Sequence, residues 1–294
     1  VPEAKIPRAI LRHNLVGVDV DPGAAQLTAL GLYIKAKTHA PDTEIDRLNV
    51  VAADATLTNG DRRSELLSSV STELERRVIE EVWDAFSRTR ERGSLIRIED
   101  RIEQVMKEEQ EELDDLRPSD EAKLTSEGIE TDTEFIVGGE AYSWDRLKDH
   151  LLSVVDDLAM EALETSDPAA ELVADEISTG LRLTEVFLGS YDVVVTNPPY
   201  LVSNKMGTEL KEFVKANYEA SRDLYSAFIE RCLEFADEDG YVGMITMETF
   251  MYQYVFRGFR PFLLERANFI DALHLSNRDE EYMNIAFIMQ PLDG

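Results

Sequence analysis

The sequence contains a single cysteine, few lysines and no long apolar run. One cysteine can form neither an internal disulfide nor a cysteine-rich zinc site, so we expect a reducing compartment and no bound metal. Cys232 falls in the apolar pattern LYSAFIERCLEF, which predicts a buried thiol. No stretch of about 18 apolar residues is present, so we expect no membrane span, and the first residues lack a signal-peptide core. These absences predict a cytoplasmic protein.

Acidic residues outnumber basic ones, 59 to 30, and the formal net charge is −29. The excess is uneven. Residues 1–58 carry 6 basic and 7 acidic side chains, residues 59–190 carry 15 and 35, and residues 191–294 carry 9 and 17. Only 9 of the 30 basic residues are lysines, a composition similar to that of proteins from salt-loving (halophilic) organisms, in which salt screens the repulsion between like charges. The alternative is an acidic protein of an ordinary organism.

The most informative local pattern is the segment YDVVVTNPPY at residues 191–200. The β-branched run Val193 to Val195 predicts a buried strand, which must end at the two prolines that follow. Ligands of open α/β sheets bind at the carboxyl ends of the strands, so Asn197 and Tyr200 fall where a site would lie. The alternative is an ordinary strand followed by a Pro-Pro turn.

Strands alternate with helices along much of the chain, which predicts an α/β fold with a Rossmann-like, doubly wound parallel sheet. The further strands are expected at 15–20, 48–52, 241–247, 269–275 and about 283–289. A helix is expected to begin at Pro22, with Leu27, Leu30, Ile34 and Ala36 on its apolar side. Further helices are expected from Tyr142 to Leu163 and at 255–267, and a turn is expected at 237–240. Residues 59–190 contain charged helical patterns and predict a large acidic helical insertion. The chain is therefore divided into 1–58, 59–190 and 191–294.

The tetrapeptide Asn197-Pro198-Pro199-Tyr200 resembles motif IV of the amino-methyltransferases, enzymes that transfer a methyl group from S-adenosylmethionine to an exocyclic amine. The resemblance implies that the Asn197 side-chain oxygen and the Pro198 carbonyl each accept one hydrogen of adenine N6. The prolines fix the backbone, and Tyr200 would stack on an adenine flipped out of the duplex. NPPY rather than SPPY implies adenine N6 over cytosine N4.

Two segments near the start resemble motifs II and III of gamma-type adenine-N6 DNA methyltransferases. The first, GVDVDPGAAQL, implies that Asp19 binds the ribose hydroxyls of S-adenosylmethionine and that Val20 packs on its adenine. The second, AADAT, implies that Asp54 accepts from the cofactor's adenine amine, with Ala55 beside the ring. Asp19 could instead be a helix cap, although Asp21 is better placed for that, and Asp54 could be a turn residue.

The segment after NPPY completes the resemblance. DLYSAFIERCLEFADEDGYVGMITMETFM at 223–251 is similar to motif V and the strand that follows it, which implies that Asp223 lines the cofactor pocket. Residues 6–58 and 191–290 together resemble the large (PglX-like) adenine methyltransferases of BREX phage-defence systems and fused restriction-methylase polypeptides. The implied partners are double-stranded DNA with a flipped adenine, and proteins of the defence system.

One expected pattern is missing. Motif I of the family, a strand followed by a Gly-rich turn, has no counterpart among the 16 residues before Gly17 or further along the chain. We therefore expect that the chain starts inside a longer protein and that the slot for the first strand is unfilled, with weak cofactor binding. The other functions left open are a protein-glutamine methyltransferase, an RNA or small-molecule amine methyltransferase, and a non-catalytic scaffold.

Overall fold

A computed structural model of the chain describes residues 2–45, 48–53, 67, 70, 72–86, 92–115, 134–137, 140–143, 150–153, 168–275 and 284–292. The chain forms two compact units, Val1–Leu188 and Gly189–Gly294. In the described residues, unit 1 contains two two-stranded sheets, and unit 2 contains one four-stranded sheet. The division into 1–58, 59–190 and 191–294 stays a prediction.

Unit 1 begins with the predicted strand–helix–strand alternation. Its elements are α1 (Ile6–His13), β1 (Val16–Asp19), α2 (Pro22–His39), β2 (Asn49–Ala52), α3 (Glu73–Phe86), α4 (Ile98–Asp115), β3 (Glu134–Val137), β4 (Glu140–Ser143) and α5 (Pro168–Leu188). β1 and β2 are parallel, and Asp19 pairs with Ala52. The carboxyl ends of both strands therefore lie at the same edge.

Helix α2 begins as predicted. Its N-cap is Asp21, whose side chain accepts a hydrogen bond from the Gly23 N–H at 2.8 Å, and Pro22 occupies the first turn. Ala25 and Ala36 are the buried residues of the helix, whereas Leu27 and its large apolar neighbours are exposed within the described residues. Of the predicted apolar side, Ala36 is therefore buried, whereas Leu27, Leu30 and Ile34 are exposed.

The middle of the chain contains the predicted helices. In α3, Leu74, Val78 and Val82 are buried at helical spacing. Phe86 at the end of α3 stacks on Phe187 of α5, with ring centroids 6.4 Å apart. These contacts show a packed helical layer.

The insertion is not wholly helical, however, because β3 and β4 pair as an antiparallel hairpin. Val137 pairs with Glu140, and in the sequence two glycines separate them, a usual signal for a tight hairpin. Tyr142 accordingly lies in a strand, although the sequence predicted a helix from Tyr142 to Leu163. The sequence around Tyr142 was interpreted with the 3.6-residue period of a helix, whereas it forms a strand.

Gly93 has a φ of 51° in the left-handed region, which favours glycine. An added Cβ would lie 2.9 Å from Cγ1 of Val20. The glycine therefore allows the backbone around Gly93 to approach the residue that follows β1.

Unit 2 has a mixed sheet. Its elements are β5 (Tyr191–Thr196), α6 (Thr208–Asn217), α7 (Leu224–Phe235), β6 (Ala236–Met247), α8 (Thr249–Tyr252), α9 (Phe259–Arg266), β7 (Ala267–Leu275) and β8 (Asn284–Pro291). The strand order is β5-β6-β8-β7; β5 and β6 are parallel, and β8 is antiparallel to both of its neighbours. Together with the parallel β1–β2 pair, this confirms the predicted α/β class with helical crossovers.

Two local predictions in unit 2 were wrong. The expected turn at 237–240 is part of β6, where a register shift lets Tyr191 pair with Ala236 and Val193 with Tyr241. Between these two pairs β6 has three more residues than β5, which interrupts the regular pairing of the two strands. The expected helix at 255–267 is split into a 3-10 turn at Tyr254–Phe256 and helix α9.

Helices α7, α8 and α9 cover one face of the unit 2 sheet. The core on that face is rich in aromatic residues and includes Tyr225, Phe250, Phe259 and Phe287. The opposite face is open in the described residues. In β5, Val194 packs against the core while Val193 and Val195 are exposed, so the predicted burial of this strand holds for one of its faces.

Cys232 lies in the same core. Burial raises the pKa of its thiol to about 12. This confirms the predicted buried thiol.

Among the described strands, β1 pairs with β2 and β5 pairs with β6. Within the described residues, no further strand pairs with the other side of β1 or with the other side of β5. The expectation of an unfilled strand slot concerns the arrangement between the two units, and it stays a prediction.

Candidate active site

The Asn-Pro-Pro-Tyr segment lies at the carboxyl end of β5, which ends at Thr196. Pro198 is buried, whereas Asn197, Pro199 and Tyr200 are exposed. The buried proline anchors the segment, and the residues on either side of it face solvent. An exposed amide and an exposed aromatic ring can both reach a substrate.

Asn197 and Tyr200 contact each other directly. The Tyr200 hydroxyl lies 3.2 Å from Oδ1 of Asn197 and 3.3 Å from the Ile245 carbonyl, and can donate to either oxygen. Partial burial raises the pKa of Tyr200 above its ordinary value of 10.0, so the hydroxyl keeps its proton at neutral pH. An amide oxygen has two lone pairs, which leaves Oδ1 able to accept a second hydrogen bond.

The chain after Tyr200 is tied to the start of α7. The Leu201 N–H donates to Oδ1 of Asp223 at 3.0 Å, and the Leu224 N–H donates to the Leu201 carbonyl at 2.9 Å. Val202 and Asp223 form an isolated antiparallel bridge. These bonds fix the exit of the segment, as β5 fixes its entry.

Asp223 is a buried carboxyl. Burial raises its pKa above the ordinary value of 3.8, and hydrogen bonds from the backbone N–H groups of Leu201, Tyr225 and Leu224 partly oppose that shift. In unit 2 its side chain thus supports the Asn-Pro-Pro-Tyr segment. Its assignment as a cofactor-pocket residue stays a prediction.

The raised pKa of Asp223 predicts a pH effect with a definite sign. A folded-state pKa above the unfolded value means that the carboxyl contributes stability at low pH and loses it as the pH rises through the folded pKa. Asp223→Asn keeps the acceptor for the Leu201 N–H and removes the titration. We therefore expect the variant to gain in free energy of unfolding relative to wild type as the pH rises from 3.8 towards neutrality.

Urea unfolding across that pH range measures the difference. Glu209→Gln on the exposed side of α6 is the control, since it removes one negative charge without removing a buried carboxyl. A difference between Asp223→Asn and wild type that stays constant with pH would contradict the prediction.

A buried aromatic residue, Tyr225, packs against Tyr200. The Tyr225 ring meets it edge to face, with centroids 6.3 Å apart and an angle of 89°. Tyr225 is fully buried, and its hydroxyl shares a hydrogen bond of 2.8 Å with Oγ1 of Thr249. Burial raises the pKa of Tyr225 strongly, so it is neutral. The exposed ring of Tyr200 therefore rests on a fixed surface.

In unit 1, Asp19 ends β1 and is exposed. Its Oδ1 accepts the Asp21 N–H at 2.8 Å, and its backbone carbonyl accepts the Ala53 N–H. Because Asp21 caps α2, the alternative role of Asp19 as the cap is excluded. The second carboxylate oxygen of Asp19 has no hydrogen-bond partner among the described residues, and Val20 beside it is exposed. Both are accessible to a ligand.

Asp54 and Ala55 lie outside the described residues. The last described residue of this segment is Ala53, which is fully buried. The register of β1 with β2 brings this strand end beside Asp19, but the roles predicted for Asp54 and Ala55 stay predictions.

The sequence reasoning missed a polar group at the end of β6. The nearly buried Glu248 accepts from the Tyr252 hydroxyl at 2.9 Å and pairs with Nε2 of His274. The hydrogen bond to Glu248 raises the pKa of Tyr252. A glutamate at the end of an apolar strand was the available signal.

The chain matches the family model described as Eco57I restriction-modification methylase over residues 13–280. The chain belongs to this family. The matched range includes Asp19, the Asn-Pro-Pro-Tyr segment and Asp223, so the predicted resemblance to restriction and phage-defence methylases is confirmed.

The chain is similar to two curated adenine-specific methyltransferases. The chain is 27% identical over 280 residues to the adenine-specific methyltransferase BrxX of Escherichia coli O9:H4 (strain HS). This alignment covers 93% of the chain and 21% of BrxX. The chain is 29% identical over 154 residues to the adenine-specific methyltransferase PglX of Lacticaseibacillus casei (strain Zhang). This alignment covers 47% of the chain and 13% of PglX. The chain thus spans about a fifth or less of the length of these relatives.

Among solved structures, a candidate class I S-adenosylmethionine-dependent methyltransferase from Listeria monocytogenes aligns with 80% of this chain and 89% of its own, at 12% identity and a TM-score of 0.31. A TM-score of 0.31 does not establish a shared fold, and the fold assignment is based on the strand pairing given above.

In the part of the chain that the structure describes, no helix has the length and apolarity to cross a membrane. The same residues contain no cluster of three or more His, Cys, Asp or Glu side chains placed to hold a metal ion.

Proposed function

We propose that this chain contains the catalytic residues of an adenine-N6 DNA methyltransferase in a restriction-modification or BREX-type phage-defence system. The observation that carries the proposal is the exposed Asn197–Tyr200 pair at the carboxyl end of β5, in a chain of the Eco57I methylase family. Both curated relatives are named adenine-specific methyltransferases, which supports adenine as the target.

The pair has the chemistry that methylation of an exocyclic amine requires. The N6 lone pair of adenine is delocalised into the ring, which makes the amine a poor nucleophile. Oδ1 of Asn197 and the Pro198 carbonyl would each accept one N6 hydrogen, which favours a pyramidal nitrogen with a directed lone pair. Tyr200 would stack on the flipped base, and its hydroxyl would hold the Asn197 oxygen in place.

S-adenosylmethionine is the methyl donor implied by the family, and it would supply an electrophilic methyl carbon. The described residues that fit it are Asp19, with one carboxylate oxygen free for the ribose hydroxyls, and the exposed Val20. Asp54, Ala55 and Asp223 are the further residues that we propose to bind the cofactor.

The proposed partner is double-stranded DNA, and the proposed place of action is the cytoplasm, together with other proteins of a defence system. The acidic composition is consistent with a salt-loving source, in which salt would screen the repulsion between the net charge of −29 and DNA.

Mass spectrometry of modified nucleosides tests the proposed function. DNA from cells that express the complete protein should contain N6-methyladenine, and DNA from cells with an empty vector should lack it. N4-methylcytosine would overturn the assignment of the atom. Methylglutamine in digested protein without methylated DNA would favour the protein-glutamine alternative, and no methylated product would favour a scaffold.

A further inference from the structure

The segment that follows β6 differs in charge from the acidic middle of the chain. Residues 249–264 lie between Glu248 and Glu265, contain no acidic residue and carry Arg257 and Arg260. Two other runs of at least this length lack acidic residues, 22–41 and 193–208, and the second of them contains the Asn-Pro-Pro-Tyr segment. A phosphate backbone would meet less repulsion here than at the acidic middle of the chain.

Two tyrosines of this segment project into solvent. Tyr254 is 74% exposed and Tyr252 is 61% exposed. The guanidinium of Arg257 lies over the Tyr254 ring, 4.2 Å from its centroid, and no carboxylate is within ion-pair distance of Arg257 among the described residues. The Tyr254–Arg257 pair therefore presents a flat, cationic surface without an internal counter-charge.

The backbone beneath this surface is fixed. Nη1 of Arg260 donates to the carbonyls of Phe250 and Gln253, at 3.1 and 2.8 Å. Phe250, Phe256 and Phe259 are buried in the aromatic core. A ligand would thus meet a surface that is already ordered, which reduces the entropy lost on binding.

The surface lies at the same edge of the sheet as Asn197. β5 and β6 are parallel, and Thr196 pairs with Met244, so the segment after β6 starts close to where Asn197 follows β5. The Tyr200 hydroxyl contacts the Ile245 carbonyl, and Tyr225 beneath Tyr200 bonds to Thr249 at the start of α8. A DNA strand that delivers a base to Tyr200 would pass this edge.

We propose that Tyr254 and Arg257 bind the DNA strand next to the flipped adenine. Arg257 pairs with a backbone phosphate, and the Tyr254 ring orients the guanidinium and stacks against the neighbouring nucleotide. This inference rests on the proposed function, since it names a second contact of the same substrate.

The chain offers a matched control at the opposite edge. Arg266 lies over Phe262 at 4.0 Å, in a pair that closely resembles Arg257 over Tyr254. Strand pairing places the start of β7, which follows Arg266, at the edge where β6 begins, whereas Glu248 follows the other end of β6. Arg266→Gln therefore removes the same charge far from Asn197.

The test measures DNA binding by the complete protein over a series of salt concentrations, by fluorescence anisotropy of a labelled duplex. Arg257→Gln should reduce the slope of log affinity against log salt by about 1, because one phosphate contact is lost, and Arg266→Gln should leave it unchanged. Tyr254→Ala should weaken binding by about tenfold, and Tyr254→Phe should retain most of it, since stacking needs the ring.

Outcomes for the surface and for the methyltransferase function are separable. If wild type methylates adenine but Arg257→Gln and Arg266→Gln have equal slopes, the DNA surface is overturned and the proposed function stands. Loss of binding to another protein with unchanged DNA affinity would equally overturn it. If wild type neither binds nor methylates DNA, both proposals fail. Circular dichroism of each variant confirms that the fold is retained.

Discussion

Replacing Asn197 by Ala is expected to abolish methyl transfer while leaving the fold intact. Asn197 is exposed, and among the described residues its side chain is hydrogen-bonded to Tyr200, so truncation opens no cavity. The lost acceptor matters most as the amine of the substrate becomes pyramidal, and loss of one such stabilising group costs about 100- to 1000-fold in rate. The effect should fall on the chemical step and leave DNA affinity nearly unchanged.

Single-turnover methylation of a DNA duplex by the complete protein measures this step directly. Asn204→Ala is a matched control, since Asn204 is an exposed asparagine that lies after the Asn-Pro-Pro-Tyr segment. The control should methylate at the wild-type rate. Near-normal transfer by Asn197→Ala would exclude the proposed role of the amide oxygen, whatever the family of the chain.

The part of the fold that could be predicted has strong local signals. Strand β5 was found because a β-branched run meets two prolines, and helix α2 because Asp21 and Pro22 form a recognisable start. The β3–β4 hairpin was missed, since its short apolar runs lie among charged residues typical of helices. The residues at 237–240 have the composition of a turn, and their place inside β6 depends on the pairing of the flanking residues with β5.

In the candidate site, too, the residues could be predicted from the sequence but their contacts could not. Asn197 and Tyr200 were predicted individually, but their hydrogen bond depends on the path of the backbone through two prolines, which the sequence alone does not determine. The tie between Leu201 and Asp223 joins positions separated by 22 residues. Contacts at such separations depend on the packing of α7 on the sheet, and periodicity carries no information about them.

The absence of acid from residues 249–264 was visible in the sequence, and it gained meaning only from the structure. An acid-free run within an apolar helix is usually part of the core. Here Tyr252 and Tyr254 are exposed, while Phe250, Phe256 and Phe259 of the same segment are buried. The distinction between a core helix and a binding surface was decided by which of these rings faces solvent.

Replacing Tyr200 by Ala is expected to lower methylation by about 100-fold or more, because both the stacking surface for the flipped base and the support of Asn197 are lost. Tyr200 is partly exposed and the Tyr225 core beneath it is anchored through Thr249, so the fold should persist. Binding to an unmodified duplex should change little. A 2-aminopurine at the target position should fluoresce differently, since the flipped base no longer lies on a ring.

The phenylalanine variant separates the ring of Tyr200 from its hydroxyl. Tyr200→Phe keeps the stacking surface and loses the hydroxyl's contacts with Asn197 and Ile245, so we expect activity to fall by about two- to tenfold, the usual value of one neutral hydrogen bond. Because the pKa of Tyr200 is raised, the hydroxyl is neutral from about pH 6 to 9, and the ratio of the two rates should not vary with pH over that range. If Tyr200→Phe were as inactive as Tyr200→Ala, the hydroxyl rather than the ring would be the essential group, and stacking would not be the main role of Tyr200.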